Sequence, residues 1–308
     1  MVLKAAVKPA AVKPADANLR ENGVCRARLP EAVFAARPWG GPFSVRKGNI
    51  MEELQKKIED RLAAITGDVC FYYEEPETGG SLAYHADRPV TAASVIKLAV
   101  LTEAFRQMES GLARADEMFT IRRADKLPSC GALTYLHDGL CVTFLDLCVL
   151  MIILSDNTAT NLLIRRLGIE RINETLRALG LRETTLRRLL FDSEASARGV
   201  QNHITARETG RLLRLMYEGK AVSPGADGRM LSILSDQRLN GKIPFFLPRG
   251  VRAAHKTGED GGITHDVGII YAKRPFIVCF CSQKTDVPAM ERAMQDITQL
   301  LYEHAQRP

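Results

Sequence analysis

Three short motifs follow one another along the chain: Ser94-Val95-Ile96-Lys97, Ser155-Asp156-Asn157 and Lys256-Thr257-Gly258. They supply a hydroxyl with an amine one helical turn away, a second hydroxyl beside an amide, and a second ammonium beside a hydroxyl. A serine hydroxyl is a weak nucleophile at neutral pH and needs a group to take its proton, and a lysine three residues on along a helix is within reach of it. These are the parts of an acyl-transfer centre, with Ser94 as nucleophile and Lys97 as its basic partner.

A Ser-x-x-Lys spacing is not specific on its own, since Ser44-Val45-Arg46-Lys47 also fits. No periodic apolar run follows Ser44, which therefore reads as a surface serine. Ser94 leads instead into the apolar run Leu98-Ala99-Val100-Leu101-Thr102-Glu103-Ala104-Phe105. That places it at a helix N-terminus, where free backbone N–H groups and the helix dipole favour negative charge. A lone serine there would be a simple cap; the other two motifs overturn that reading.

The elements that must hold these residues can be traced from patterning. Met51 to Leu62 reads as a helix with Leu54, Ile58 and Leu62 on one face. Strands are predicted over 68–74 and 81–85, joined as a hairpin at Glu77-Thr78-Gly79-Gly80. A helical pattern runs from Ser94 to about Gly219, with loops at 122–131 and 182–203. Strands at 251–258, 264–273 and 275–282 follow, then a closing helix from Pro288 to about His304. The expected fold is α/β (α+β): an antiparallel sheet flanked by N- and C-terminal helices, plus an inserted all-helical lobe. Residues 1–50 would be a flexible tail, 51–90 and 221–308 the α/β lobe, and 91–220 the helical lobe.

The trio of motifs resembles the active-site signature of class A β-lactamases and penicillin-binding proteins. The stretches Leu150–Leu163 and His265–Tyr271 look similar too, and the resemblance covers roughly residues 51–305. It implies that Ser94 attacks a strained lactam carbonyl while Lys97 takes its proton, directly or jointly with a carboxylate acting through water. Ser155, with Lys256 beside it, would pass a proton to the departing nitrogen. Asn157 would hold the substrate's side-chain amide and Asp156 would brace its loop. Lys256 and Thr257 would bind the substrate carboxylate along the Gly258 strand, with Lys242 as an extra cation. The backbone N–H groups of Ser94 and Glu259 would form the oxyanion hole.

One departure stands against these agreements. Class A enzymes hydrolyse the acyl-enzyme with a glutamate in a Glu-Pro-x-x-Asn loop, and the corresponding stretch here is Leu186-Arg187-Arg188-Leu189-Leu190-Phe191-Asp192-Ser193-Glu194. Leu190 stands where the glutamate would be, and Asp192 and Glu194 are the carboxylates nearby. Asp192 follows three apolar residues and is expected to point inward as the deacylating base. The resulting expectation is a serine β-lactamase-type hydrolase working through an acyl-enzyme on Ser94. The alternatives are a penicillin-binding or sensor-like protein with little turnover, or a D-alanyl-D-alanine carboxypeptidase or esterase.

Composition narrows the field. The chain of 308 residues with 46% hydrophobic content can bury a core large enough for one catalytic unit. A net charge of +6 is spread over pairs such as Arg165-Arg166 and Arg187-Arg188 with no aromatic interleaving. These read as solvated faces and not as a nucleic-acid surface. The seven cysteines are odd in number and sit mostly in apolar runs, which suits reduced core thiols. Neither cysteines nor histidines show metal-ligand spacing, so no metal or cofactor is expected. No apolar stretch is long enough to span a membrane. The first residues carry a doubled Ala-Ala-Val-Lys-Pro without the apolar core of a signal peptide. By its own signals the protein reads as cytoplasmic, although the family it resembles is mostly exported. A monomer acting on a small-molecule substrate is expected.

Overall fold

Strand residues here alternate between two cores. In the strand Asp68–Glu74 (β1), Phe71 and Tyr73 face one apolar cluster and Cys70 and Tyr72 the other, as the period of two along a strand requires. The computed structural model describes residues 47–307. Ser44 and the expected tail, up to residue 46, lie outside the described residues.

The first cluster sits under two helices. Helix α1 (Lys47–Ala63) presents Leu54, Ile58 and Leu62, all buried, at a spacing of four. The chain then turns at Gly67, whose φ is +101°; a Cβ there would come within 2.3 Å of the Lys284 carbonyl oxygen, so only glycine fits. The closing helix, Val287–Gln306, is capped by the Asp286 carboxylate on the Ala289 N–H, has Pro288 in its first turn, and buries Met290, Met294, Ile297 and Leu301. Both helices pack on one face of the sheet.

The hairpin partner of β1 is β2 (Ser81–Tyr84), and a short β3 (Val90–Thr91) precedes a 3-10 turn at Ala93–Ile96. From that turn runs α2 (Lys97–Glu109), buried along most of its length. The helical segment continues with a two-stranded ribbon of β4 (Met118–Thr120) and β5 (Cys141–Thr143), then α3 (Phe144–Ile153), α4 (Asn157–Leu167) and α5 (Ile169–Ala178). Next come the five-residue α6 (Ser193–Ala197), β6 (His203–Ile204) paired to β3, α7 (Ala206–Tyr217) and α8 (Pro224–Ser235). Three long strands close the sheet: β7 (Ala253–Asp260), β8 (Ile263–Ile270) and β9 (Phe276–Gln283). The final helix is α9.

The sheet is antiparallel throughout in the order β2-β1-β9-β8-β7, which leaves β7 as a free edge. The antiparallel sheet, its terminal helices and the helical segment opposite agree with the expected fold. Two details differ. The expected loop at 182–203 contains α6 and β6, elements too short to give a periodic signal. Helix α8 lies in the range assigned to the α/β lobe, yet packs on α2, α3 and α7 as well as on β7. The core of the helical segment runs on through the inner face of the sheet, where Cys70, Cys279 and Cys281 are fully or almost fully buried. The described residues, 47–307, fall within one compact unit. Burial pushes the Cys70 thiol up to about 11, so it is a core side chain and not a nucleophile. No helix among the described residues is long and apolar enough to cross a membrane.

Candidate active site

The turn that carries Ser94 is anchored from behind. His265, fully buried, donates from Nε2 to the Thr91 carbonyl at 2.8 Å and accepts the Ser282 N–H on Nδ1 at 3.0 Å. That pair of bonds requires the neutral imidazole, and burial pushes its pKa down to about 4. Ala93, just before the nucleophile, has φ +41°, outside the comfortable range of a residue with a Cβ. Across from it runs β7, where a Cβ on Gly258 would stand 3.3 Å from the Ser94 nitrogen and 3.2 Å from Val95 Cγ2. Gly258 therefore lets the edge strand close on the nucleophile's backbone, and Glu259 follows it along that edge.

Ser155 is the hub. It sits between α3 and α4 with φ +53°. Lys97 donates to the Ser155 carbonyl at 2.7 Å, to its Oγ at 3.0 Å and to Asn157 Oδ1 at 2.9 Å. Lys256 donates to the same Oγ at 3.0 Å and to the Thr257 carbonyl at 2.7 Å. One hydroxyl thus bridges two amines. None of the Lys97 bonds goes to Ser94, which faces the cleft. Asp156 is a brace, as expected of it: its carboxylate accepts the N–H groups of Ala159, Ala132 and Leu133 at 2.9, 2.7 and 2.8 Å.

Both lysines are fully buried and neither makes an ion pair. Burial first, and the neighbouring Lys256 ammonium second, hold the Lys97 amine well below its ordinary range. Lys256 falls to about 7, again mainly through burial, with Asp266 opposing the fall. A neutral Lys97 can accept the Ser155 hydroxyl proton while that oxygen accepts from Lys256, which links the two amines in one proton path. Stability follows from the same shifts. Between pH 7 and about 10 the unfolded chain holds protons that the folded lysines have lost, so folding strengthens as pH rises through that window. The urea midpoint of wild type should climb more steeply there than that of Lys97→Met/Lys256→Met; equal slopes would mean that both amines stay charged in the fold.

Facing the nucleophile is the loop after α5. Asn161, one turn beyond Asn157 on α4, clasps Leu190 by both backbone groups, donating to its carbonyl and accepting its N–H, each at 2.9 Å. The sequence reading missed Asn161, although its spacing of four from Asn157 places it on the same helix face. Loss of both bonds would strand two backbone groups at about 1–3 kcal/mol each. Asn161→Ala is therefore expected to lower the melting temperature by at least about 5 °C and to hasten proteolysis near residue 190. Leu190 and Phe191 line the cleft, Phe191 at φ +60°.

Two residues given roles from the sequence are already engaged in the fold. Asp192 lies at the cleft wall, and one oxygen of its carboxylate caps α6 by accepting the Ala195 N–H at 2.9 Å. Lys242 is not a free cation: its ammonium pairs with Glu259 at 2.8 Å and Glu291 at 3.5 Å and reaches the His265 carbonyl at 3.4 Å. A third cluster was not read from sequence at all. His255 contacts Asp266 and Asn240, each at 2.9 Å, and Asp266 also accepts the Ile243 N–H at 3.0 Å, which fixes the segment carrying Lys242. Among the described residues no group of three His, Cys, Asp or Glu side chains is placed to hold a metal ion.

The cleft bounded by Ser94, Asn157, Leu190 and Glu259 has a volume of about 530 Å³, room for a small acyl compound. Comparison with known proteins points the same way. The model of the beta-lactamase enzyme family matches residues 53–305. A β-lactamase of Streptomyces lavendulae is 26% identical over 269 residues, which is 83% of this chain and 87% of that protein. The solved β-lactamase of Sphaerobacter thermophilus is similar with a TM-score of 0.75 and 30% identity, over 82% of this chain and 97% of the other. A leucine-to-glutamate mutant of PBP-A, solved as an acyl-enzyme complex with penicillin G, gives a TM-score of 0.73 and 26% identity, over 84% and 96%.

Proposed function

The chain belongs to the beta-lactamase enzyme family, and from that premise we propose that it is a serine hydrolase that opens the β-lactam ring through an acyl-enzyme on Ser94, with deacylation as its slow step. The observation that carries this reading is the Ser155 hydroxyl held at 3.0 Å from each of two buried lysine amines, one of which also bonds Asn157, a residue that lines the cleft together with Ser94.

Attack by the Ser94 oxygen on the lactam carbonyl releases a proton to neutral Lys97, directly or through one water. The proton then travels by way of Ser155 to the departing ring nitrogen. The C–N bond breaks, the ester to Ser94 forms, and Lys97 is neutral again. Lys256 holds Ser155 in place and, with Thr257, faces the substrate carboxylate. The backbone N–H groups of Ser94 and Glu259 receive the carbonyl oxygen as it gains charge, a contribution of several kcal/mol when two such donors are pre-set. Gly258 serves this by keeping β7 close to the Ser94 nitrogen.

Hydrolysis of the ester requires an activated water, and there the cleft is poor. The side chain beside the nucleophile is Leu190, and the Asp192 carboxylate is engaged as a helix cap. A missing general base costs about 10²–10⁴-fold in the step it would assist. The same observation favours a second reading, a penicillin-binding protein whose acyl-enzyme is long-lived. A chromogenic cephalosporin separates the two: the hydrolase gives a burst of one equivalent and then a slow linear phase, whereas a pure binder stops at one equivalent.

A further inference from the structure

The ion pair at the mouth of the cleft is asymmetric. The Lys242 side chain is 5% exposed and fixed, with its ammonium also touching the His265 carbonyl and Glu291, which in turn accepts the Thr264 hydroxyl at 3.0 Å. The Glu259 side chain, its nearest partner, is 57% exposed and free to swing into solvent. Glu259 also lines the cleft beside Ser94, one position past Gly258 on the free edge of β7. Asp260 adds another carboxylate on the same wall. Lys256, the other cation near that wall, feels both members of the pair: Lys242 lowers its pKa and Glu259 raises it.

We propose that Glu259 is a specificity-determining residue: its carboxylate occupies Lys242 in the place of a substrate carboxylate, so that an acyl donor with an anionic group beside the scissile bond must displace it. The inference rests on the acyl-transfer reading of the cleft. An exposed ion pair is worth little by itself, but here one partner is buried and its charge must be answered by something. With Glu259 in place the wall carries more acid than free base. A second carboxylate arriving from the substrate either expels the Glu259 side chain or sits beside it at a cost in repulsion. A donor that is uncharged at that position has neither difficulty. The cleft is therefore tuned toward uncharged acyl donors, esters and amides among them, and away from those carrying a free carboxylate next to the reacting bond.

The test compares benzylpenicillin with its methyl ester, two ligands that differ in that one charge. Second-order acylation rates are measured by intact mass on wild type, Glu259→Gln and Glu259→Gln/Lys242→Gln. The ratio of acid to ester should rise about tenfold in Glu259→Gln, a change well within what one buried polar contact can discriminate. It should fall back when Lys242 is also removed. The backbone N–H of residue 259 is the same in all three proteins, so a change in the oxyanion hole would move both ligands together. A ratio unchanged within twofold, or an equal gain for acid and ester, overturns the proposal. If wild type forms no adduct with either ligand, the acyl-transfer reading fails by itself. Calorimetric dissociation constants of the same two ligands on the same variants then decide the charge question, with the same tenfold shift expected and a constant ratio overturning it.

Discussion

A Ser94→Ala protein mixed with a fluorescent penicillin should show no covalent label, whereas Ser44→Ala should label like wild type. The two serines share a sequence pattern; Ser94 stands on a turn that His265 ties to the sheet and that β7 closes over through Gly258. Ser155 is no substitute nucleophile, because its oxygen is held by two amines. Lys97→Ala should slow labelling by about 10²–10⁴-fold, the usual worth of a positioned base, without abolishing it, since the backbone donors and Lys256 remain. Gel fluorescence and intact mass read both outcomes. Label that survives Ser94→Ala would end the assignment of this cleft, and a Lys97→Ala protein that labels at the wild-type rate would move the proton acceptor elsewhere.

Leu190→Glu should convert a slowly emptied acyl-enzyme into one that turns over at least about 10²-fold faster, with acylation changed little. The Leu190 backbone is held from both sides by Asn161, so a new side chain leaves the loop in place and projects a carboxylate into the cleft beside the ester. A base must lie within hydrogen-bond reach of its water, about 3 Å, and Leu190 combines a fixed backbone with a place in the wall of the cleft that Ser94 lines. Asp192→Asn is the contrast. Asparagine caps a helix about as well as aspartate, so α6 should persist and deacylation should stay near the wild-type rate. Single-turnover mass spectrometry with a slow lactam measures both. A trapped acyl-enzyme in Asp192→Asn would restore Asp192 as the base; a Leu190→Glu protein that empties no faster would show that water, and not the carboxylate, is what the cleft lacks.

How much of this was legible in the sequence depends on the distance over which each feature is encoded. The motif residues, the first strand and both terminal helices were readable because each is written locally, as with Leu54, Ile58 and Leu62 on one face of α1. The ends of β7 to β9 were misplaced by one to three residues, since apolar run and ladder do not end together: Tyr271 and Ala272 prolong the run past β8, whereas Glu259, Asp260 and Gln283 prolong the ladders of β7 and β9 beyond it. What stayed hidden was pairing. Nothing near Lys242 in the chain announces Glu259 or Glu291 as its partners, and nothing near Leu190 announces Asn161. The Lys97 bond pattern was also invisible. A spacing of three residues suggested a bond to Ser94, but the folded amine is drawn to Ser155 and Asn157 by the left-handed turn at Ser155, a backbone choice that no side-chain pattern records.

The order of strands carries a consequence for how the protein comes into being on the ribosome. The first strand pairs with the last, Asp68 opposite Gln283, and β9 also separates β1 from β8. The hairpin at the start of the sheet, complete at Tyr84, therefore waits for almost two hundred residues of synthesis, until β9 ends at Gln283, before its inner edge is covered. During that wait Ser94 is already made, but Lys256 and the strand that closes over the nucleophile are not. The nascent chain thus carries its nucleophile in an unarmed form until the carboxyl-terminal quarter emerges. Over the same interval it exposes a sheet edge of the kind that chaperones shield.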